Sequence, residues 1–380
     1  MKRVLLISTV HPSTDSRIMY KIAPSLRAGY EVFCALPGLR AGIRDGLHLV
    51  CLPKFGRLLP RILLAHPVAL FKCLRLRPDI VHIFVPEMIP LALLFQWAGA
   101  KVVYEIQENL FKKFAIKRYN NGLIFKKLFR FFDSLARQKF HCVFTDDAYL
   151  NEYQHLAKPF AVIHNYVSLP VMDALVHTGA PGQRPELFYL GVVSMERCVD
   201  TMINAVAMLK KQYPDCHLHL FCPVRVDKKE LEAIAGYQQA KANITFHGYT
   251  DQKMALKYAR RAVAGIALLK PVADYPESFP TKLFEYMALK LPVITSDFPL
   301  YKRIVEESQS GFCISPYDPE ALYHAVQCCI SDHALRLKLG NNGRKAAEAS
   351  HNWTSEEVKL LSFYNNILLV QSSDLQMSTL

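Results

Sequence analysis

Two carboxylates, Glu277 and Glu285, stand eight positions apart in the stretch YPESFPTKLFEYMALKLPVITS at 275–296, with Lys282 between them. The spacing predicts a helix opening at Pro280, since proline is favoured at a first helical position where its missing N–H would be unpaired anyway. Glu277 is then left in the preceding loop. On that helix Leu283, Phe284, Met287 and Ala288 form an apolar face, with Lys282 and Glu285 on the opposite, polar face. Unpaired N–H groups at a helix start, the helix dipole and the Lys282 ammonium together favour a phosphate or diphosphate. Glu285 is an acceptor suited to the vicinal hydroxyls of a ribose, and Glu277 to a second sugar. The plain alternative is a solvated Lys282–Glu285 pair on an ordinary amphipathic helix, contributing a few tenths of a kcal/mol.

Other groups with chemical capacity sit in short loops. VHPSTDSR at 10–17 holds His11, Asp15 and Arg17, a set suited to a substrate contact, although Asp15 is also a favoured helix cap. YEIQEN at 104–109 follows an apolar run and carries Glu105, Gln107 and Glu108. GVVSMERCVD at 191–200 begins with Gly191 and holds Arg197, which reads either as a ligand contact or as a solvated helix-start cation. ITFHGY at 244–249 places His247 and Gly248 after a strand. His217 and His219 alternate with leucines and share one strand face, but no third ligand stands nearby in sequence, so no metal is expected.

The elements around these loops alternate. Strands are predicted at 4–9, 31–36, 80–84, 101–104, 142–145 and 161–164, with helices at 16–28 and 89–97 among them. Pro24 falls inside the first helix and should kink it unless the turn before is already irregular. Residues 175–185 carry Gly179, Pro181, Gly182 and Pro185 and read as a linker. Strands at 186–190, 217–222, 244–246, 264–268, 293–295 and 311–314 then alternate with helices at 200–211, 227–237, 251–261, 319–330 and 331–349, before a last helix at 353–369. Such alternation predicts parallel sheets wrapped by helices. The expected domains are 1–174, 186–350, and a 351–380 helix and tail that packs back on the first domain. Ligands of such sheets bind beyond the carboxyl ends of the strands.

At 380 residues the length favours two domains. Ten cysteines without a CxxC pair argue against a structural zinc site or a disulfide framework. The opening MKRVLLIST runs into His11 and Pro12 without a small-residue cleavage site, and reads as a strand. No apolar run is long enough to span a bilayer. The net charge of +13 calls for anionic partners. Much of it lies in 111–140, where Phe, Leu and Ile interleave with Lys and Arg around a single acid, Asp133. That pattern predicts peripheral contact with an anionic membrane surface, to which 58–77, with Arg57, Arg61, Lys72, Arg75 and Arg77, adds. No recognised binding module accompanies the charge, so nucleic acid is not expected.

The 275–296 stretch resembles the E-x7-E donor-binding segment of family 4 glycosyltransferases, through Glu277, Pro280, Lys282, Phe284, Glu285, Tyr286, Met287, Ala288, Pro292, Val293, Ile294 and Ser296. Pro280 stands where many members have Gly, so Ser278, Phe279 and Thr281 would serve the phosphate. His11, Pro12, Asp15, Arg17 and Ile18 resemble the family's acceptor-side opening. At 104–108 members usually read Y-D-x-H-E; here Glu105 and Gln107 replace the Asp and His, while Glu108 matches. Arg197 keeps the second cation of the family's diphosphate clamp, Val192 replaces the first, and Cys198 replaces a Gly.

The resemblance implies two facing Rossmann-like doubly wound domains in the GT-B arrangement. It implies a retaining, metal-independent glycosyltransferase without a cofactor, using a UDP- or GDP-type nucleotide sugar as co-substrate. Glu277, Lys282 and Arg197 would be catalytic; Gly191, His247, Gly248, Ser278, Phe279, Thr281 and Glu285 would bind the donor; His11, Asp15, Arg17, Gln107 and Glu108 would face the acceptor. A saccharide or lipid-linked acceptor at the cytoplasmic face of a membrane fits the basic segment. The alternatives are a non-catalytic sugar-nucleotide-binding scaffold at the membrane, favoured by Gln107 and Val192, or a sugar-nucleotide epimerase or hydrolase.

Overall fold

The computed structural model describes residues 1–114, 122–174 and 184–377, with side chains as far as 369. The chain forms two compact units, Met1–Asn165 with Thr354–Leu380, and Tyr166–Trp353. The division falls at Asn165, ahead of the 175–185 stretch, because Val167 and Met172 already belong to the apolar core of the second unit. Residues 175–183 lie outside those described.

The first unit is built on eight strands: β1 (Arg3–Ile7), β2 (Glu31–Pro37), β3 (Gly42–Arg44), β4 (Leu47–Leu52), β5 (Ile80–Ile83), β6 (Lys101–Ile106), β7 (His141–Phe144) and β8 (Phe160–Val162). Their order is β3-β4-β2-β1-β5-β6-β7-β8, parallel except for β3, which runs antiparallel to β4. Strands buried on both faces must be apolar throughout, which is why Val4 to Ile7 read as an unbroken run. Chain order reverses between β1 and β5, and the loop after β1 carries His11.

The predicted 16–28 helix is instead a wide π-type turn, Ile18–Ile22, followed by Ala23–Leu26. The Ala23 N–H bonds the Ile18 carbonyl, so Pro24 enters in the first turn of the next segment, where it has no N–H to lose. The Trp353–Met377 helix belongs to this unit from Thr354 on. Its Tyr364 hydroxyl lies 2.6 Å from His82 Nδ1, and Asn365 accepts from Tyr30.

The second unit holds β9 (Glu186–Leu190), β10 (His217–Phe221), β11 (Ile244–Gly248), β12 (Ala262–Ala267), β13 (Val293–Ser296) and β14 (Gly311–Ile314). All pair in parallel in the order β11-β10-β9-β12-β13-β14, the doubly wound 3-2-1-4-5-6 order, with its switch point between β9 and β12. Leu187, Leu218 and Ile266 face the Val199–Gln212 and Pro319–Ser331 helices. Phe188, Phe221 and Val293 face the Gln252–Ala259 and Thr281–Ala288 helices.

One close approach sets the last of these. A Cβ on Gly265 would lie 2.4 Å from the ring of Tyr286, so only glycine lets that ring lie against β12. The Tyr286 hydroxyl accepts from Leu190 N (3.1 Å) on β9 and donates to the Ile266 carbonyl (3.3 Å) on β12, spanning the switch point. Among the described residues no helix is long and apolar enough to cross a membrane.

Candidate functional site

Tyr286 fixes the Thr281–Ala288 helix, and one turn earlier on the same face stands Lys282. The helix begins at Thr281 instead of Pro280: Pro280 is extended (ψ 117°) and only caps it. The plain alternative, a solvated Lys282–Glu285 pair on an ordinary amphipathic helix, does not hold. Both are buried, at 7% and 4% exposure. The Lys282 ammonium lies 4.0 Å over the Tyr189 ring, and Glu285 accepts from Gln252 Nε2 at 2.5 Å.

Lys282 Nζ has no hydrogen-bond partner among the described residues. Burial, and next the nearby Arg197 charge, hold its pKa well below the ordinary lysine range. Arg197 closes the short Met195–Arg197 turn, and its guanidinium lies 5.6 Å over the Tyr275 ring. Beneath the two cations lies Gly191. A Cβ there would stand 3.1 Å from Lys282 Nζ and 3.3 Å from both Arg197 Nη1 and Tyr189 Oη. Two cations therefore converge on a bare stretch of backbone immediately after β9, at the switch point. Cys198, where the family resemblance implies Gly, is held at φ +60° as the cap of the following helix, a conformation that glycine adopts without strain.

The loop before the helix is braced from below. The buried Tyr301 hydroxyl donates to the carbonyls of Tyr275 (2.7 Å) and Ser278 (3.0 Å). Glu277 ends the Tyr275–Glu277 turn and is exposed; Ser278, Phe279 and Thr281 are half-buried. Phe279 packs beside Phe284 (5.8 Å between centroids). On the other side of the sheet's switch point, His247 stacks flat on Phe221 (4.1 Å, 6°), and Gly248, at φ +68°, accepts the Cys222 N–H at 2.8 Å. Tyr189, Tyr275 and Gln252 also border this site and were not among the residues singled out from sequence. Tyr189 had a signal, two positions before a strand-ending glycine; Gln252 had none.

The first unit gathers the other set. His11 Nε2 lies 3.1 Å from Gln107 Oε1, and Gln107 Nε2 donates to Glu105 at 2.6 Å. Asp15 accepts from the Arg17 and Ile18 N–H groups and so caps the turn after the loop. Glu108 is half-exposed, 3.3 Å from Lys113.

Arg17 is the correction here. It is 3% exposed and donates to both Glu105 oxygens (2.9 and 3.0 Å) and to the carbonyls of Ile163 and His164, so it braces the sheet instead of meeting an acceptor. Burial alone would raise the Glu105 carboxyl, but Arg17 and His82 outweigh it and hold it far below the usual carboxylate range. The Leu123–Lys139 helix turns Phe129, Asp133 and Ala136 inward, and exposes Leu123, Ile124, Leu128 and Phe131 beside Lys127 and Arg130. Part of the 111–140 segment, 115–121, lies outside the described residues.

Residues 175–346 match the family model described as "Glycosyl transferases group 1". A lipopolysaccharide core biosynthesis mannosyltransferase, LpcC, of Rhizobium leguminosarum bv. viciae is 24% identical over 227 residues, 56% of this chain and 61% of that protein. An alpha-D-kanosaminyltransferase of Streptomyces kanamyceticus is 21% identical over 48% of this chain and 46% of its own length. The chain thus spans about half to three fifths of the length of these curated relatives. Among solved structures, sucrose-phosphate synthase from Thermosynechococcus elongatus superposes with TM-score 0.76 at 17% identity, covering 97% of this chain and 100% of that one. HepE of Anabaena in complex with UDP-glucose gives 0.70 at 13% identity, covering 96% and 100%. At such identities the likeness establishes the fold, that of the GT-B glycosyltransferases.

Proposed function

We propose that this chain, whose residues 175–346 match the model of the group 1 glycosyl transferases, moves a sugar from a nucleotide diphosphate sugar to a saccharide or lipid-linked acceptor in cell-surface polysaccharide or lipopolysaccharide synthesis. One observation carries the reading: a buried ammonium, Lys282, without a hydrogen-bond partner beside a second cation, Arg197, over the bare backbone of Gly191. An isolated buried charge costs several kcal/mol, and a diphosphate between the two cations would offset it. The same pair would stabilise charge developing on the departing diphosphate, where electrostatic catalysis acts. Glu285 would hold the ribose, Glu277 the transferred sugar, and Ser278, Phe279 and Thr281 the phosphates.

His11, Gln107 and Glu108 would face the acceptor. Gln107 has no basic atom and serves as no general base. The reading includes retention of anomeric configuration, with no metal and no cofactor beyond the donor. HepE of Anabaena has been solved with UDP-glucose and with UDP, which supports a nucleotide sugar as the donor class. The exposed Leu123, Ile124, Leu128 and Phe131 beside Lys127 and Arg130 support peripheral contact with an anionic bilayer, on a cytoplasmic face.

The test is incubation with UDP- and GDP-sugars with and without lipid-linked acceptors. Nucleotide release that requires acceptor is expected. Release without it would point to a hydrolase, and none at all to a binding scaffold. Co-sedimentation with phosphatidylglycerol vesicles should be lost on reversing Lys126 and Lys127 to Glu; unchanged binding would remove the membrane contact.

A further inference from the structure

Three helical stretches cover one face of the first sheet. Leu58–Pro60, Arg61–Ala65 and His66–Leu74 run on without a break as the first; Ile89–Trp97 and Leu123–Lys139 are the second and third. Each turns an apolar edge inward, where Cys73, Ala92, Phe95 and Ala136 enter one cluster with Leu5 and Val102 of the strands. The second stretch lies between the other two, and Gln96 Nε2 ties it to the third by donating to the Lys139 carbonyl at 2.9 Å. Their outer faces therefore share one layer.

That layer is apolar where an outer helix face is ordinarily polar. Leu59, Leu63, Pro67 and Phe71 recur at every fourth residue of 58–74 and are all exposed, as one edge of a helix. Leu94 and Trp97 are exposed on the second stretch, Trp97 at 80%. The charge is as one-sided. Arg57, Lys72 and Arg75 are exposed along the first stretch, with the Arg75 guanidinium 3.8 Å over the Phe71 ring, and Lys127 and Arg130 along the third. Arg61 is not among them, since it grips both Glu87 oxygens at 2.8 Å. Among the described residues of the three stretches Asp133 is the one acid, and it is buried, accepting from Tyr153 and Arg137. Helices of the second unit differ in exposing Glu232, Glu306, Glu320 and Glu348.

Charge and apolar surface together select what fits such a layer. A second copy docking by the same face would set cation against cation, which disfavours an isologous contact. A nucleic acid would meet the cations but leave the leucines and Phe71 without an apolar partner. An anionic bilayer supplies both, phosphate headgroups for the cations and an acyl boundary for the apolar side chains, and an exposed tryptophan takes the headgroup level. We propose that the three outer faces act as one membrane-docking plane, with 58–74 as a second site of insertion beside 123–131 and Trp97 as the anchor between them. This extends the membrane contact proposed above from the third stretch and rests on it.

Trp97 and Trp353 are the two tryptophans of the chain, and Trp353 is buried at 5% exposure, so fluorescence of the full chain reports on Trp97. Vesicles of phosphatidylglycerol and phosphatidylcholine are expected to move the emission to shorter wavelength, and brominated acyl chains to quench it. Trp97→Phe should lose both signals. Leu63→Glu with Phe71→Glu, at exposed positions, should weaken co-sedimentation about tenfold or more with the melting transition unchanged. Binding that leaves the Trp97 emission as it was, or that survives Leu63→Glu with Phe71→Glu while Lys126→Glu with Lys127→Glu abolishes it, overturns the plane and leaves the contact of the third stretch standing. Equal binding to phosphatidylcholine alone, or a dimer in light scattering that Leu63→Glu with Phe71→Glu dissolves, overturns the anionic bilayer as the partner. No binding of the wild-type chain to either vesicle overturns both membrane readings, and none of these measurements depends on a sugar donor.

Discussion

Each unit buries a cationic side chain in its core, but the surroundings of the two cations differ. Arg17 in the first unit faces Glu105 through two N–H groups and meets two carbonyls besides, with His82 closing on the same carboxylate. Lys282 in the second unit has an aromatic face, a second cation and no hydrogen-bond partner among the described residues. A neutralised buried pair holds one conformation of its own domain. A buried charge left uncompensated destabilises its domain until an anion arrives, so its retention is explained by a ligand.

The contrast predicts opposite responses to removal. Arg17→Ala strands Glu105 in the core and should cost about 3–5 kcal/mol in urea unfolding of the chain; a loss below about 1 kcal/mol would mean that the pair is not the brace described. Lys282→Met removes an unpaired charge at similar volume. It should leave the ligand-free protein as stable or more so, while UDP or GDP affinity falls about a hundredfold, or about 2.7 kcal/mol. A destabilised variant that still binds would reverse the comparison.

The smallest effect is in pH dependence. The folded pKa of Lys282 is depressed, so the unfolded chain binds its proton more tightly. Ligand-free stability should therefore rise as pH climbs from that depressed value toward the ordinary lysine value near 10.5. Lys282→Met should lack that rise. The Glu105 carboxyl is also depressed, but for an acid the sign differs: its contribution is present above its unfolded value near 4.5 and is lost as pH falls below it toward the folded value. Paired denaturation series on the alkaline and acid sides separate the two.

Much of the scaffold was legible because parallel strands buried on both faces write themselves as apolar runs; Glu186–Leu190, Gly311–Ile314 and the Ile89–Trp97 helix fall where the pattern puts them. The β3–β4 hairpin was not read, although Asp45 and Gly46, both at positive φ, are its turn signal. The 227–237 helix is broken into Lys228–Glu232 and Tyr237–Ala240, because Gly236 gives its N–H to Asn204 and a Cβ there would lie 2.8 Å from that side chain.

The site itself was legible in its residue types and illegible in its burial. Helical periodicity places Lys282 and Glu285 on a polar face but does not show that this face is buried, because the partners that cover it, the Tyr189 ring and Gln252, come from other elements. Arg17 fails for the complementary reason. Its loop position suggested a ligand, while its partner Glu105 lies on β6, beyond the reach of any local pattern.

The seat of Tyr286 on Gly265 has a mechanical consequence. Ring, hydroxyl and the ammonium one turn earlier form a lever with no slack: the hydroxyl is pinned to both β9 and β12, and the ring rests on the strand itself. A methyl group added at Gly265, which belongs to the strand and not to the cradle, would tip that lever and carry the Lys282 charge off its mark over Gly191. The position of the charge is thus calibrated by a residue with no side chain.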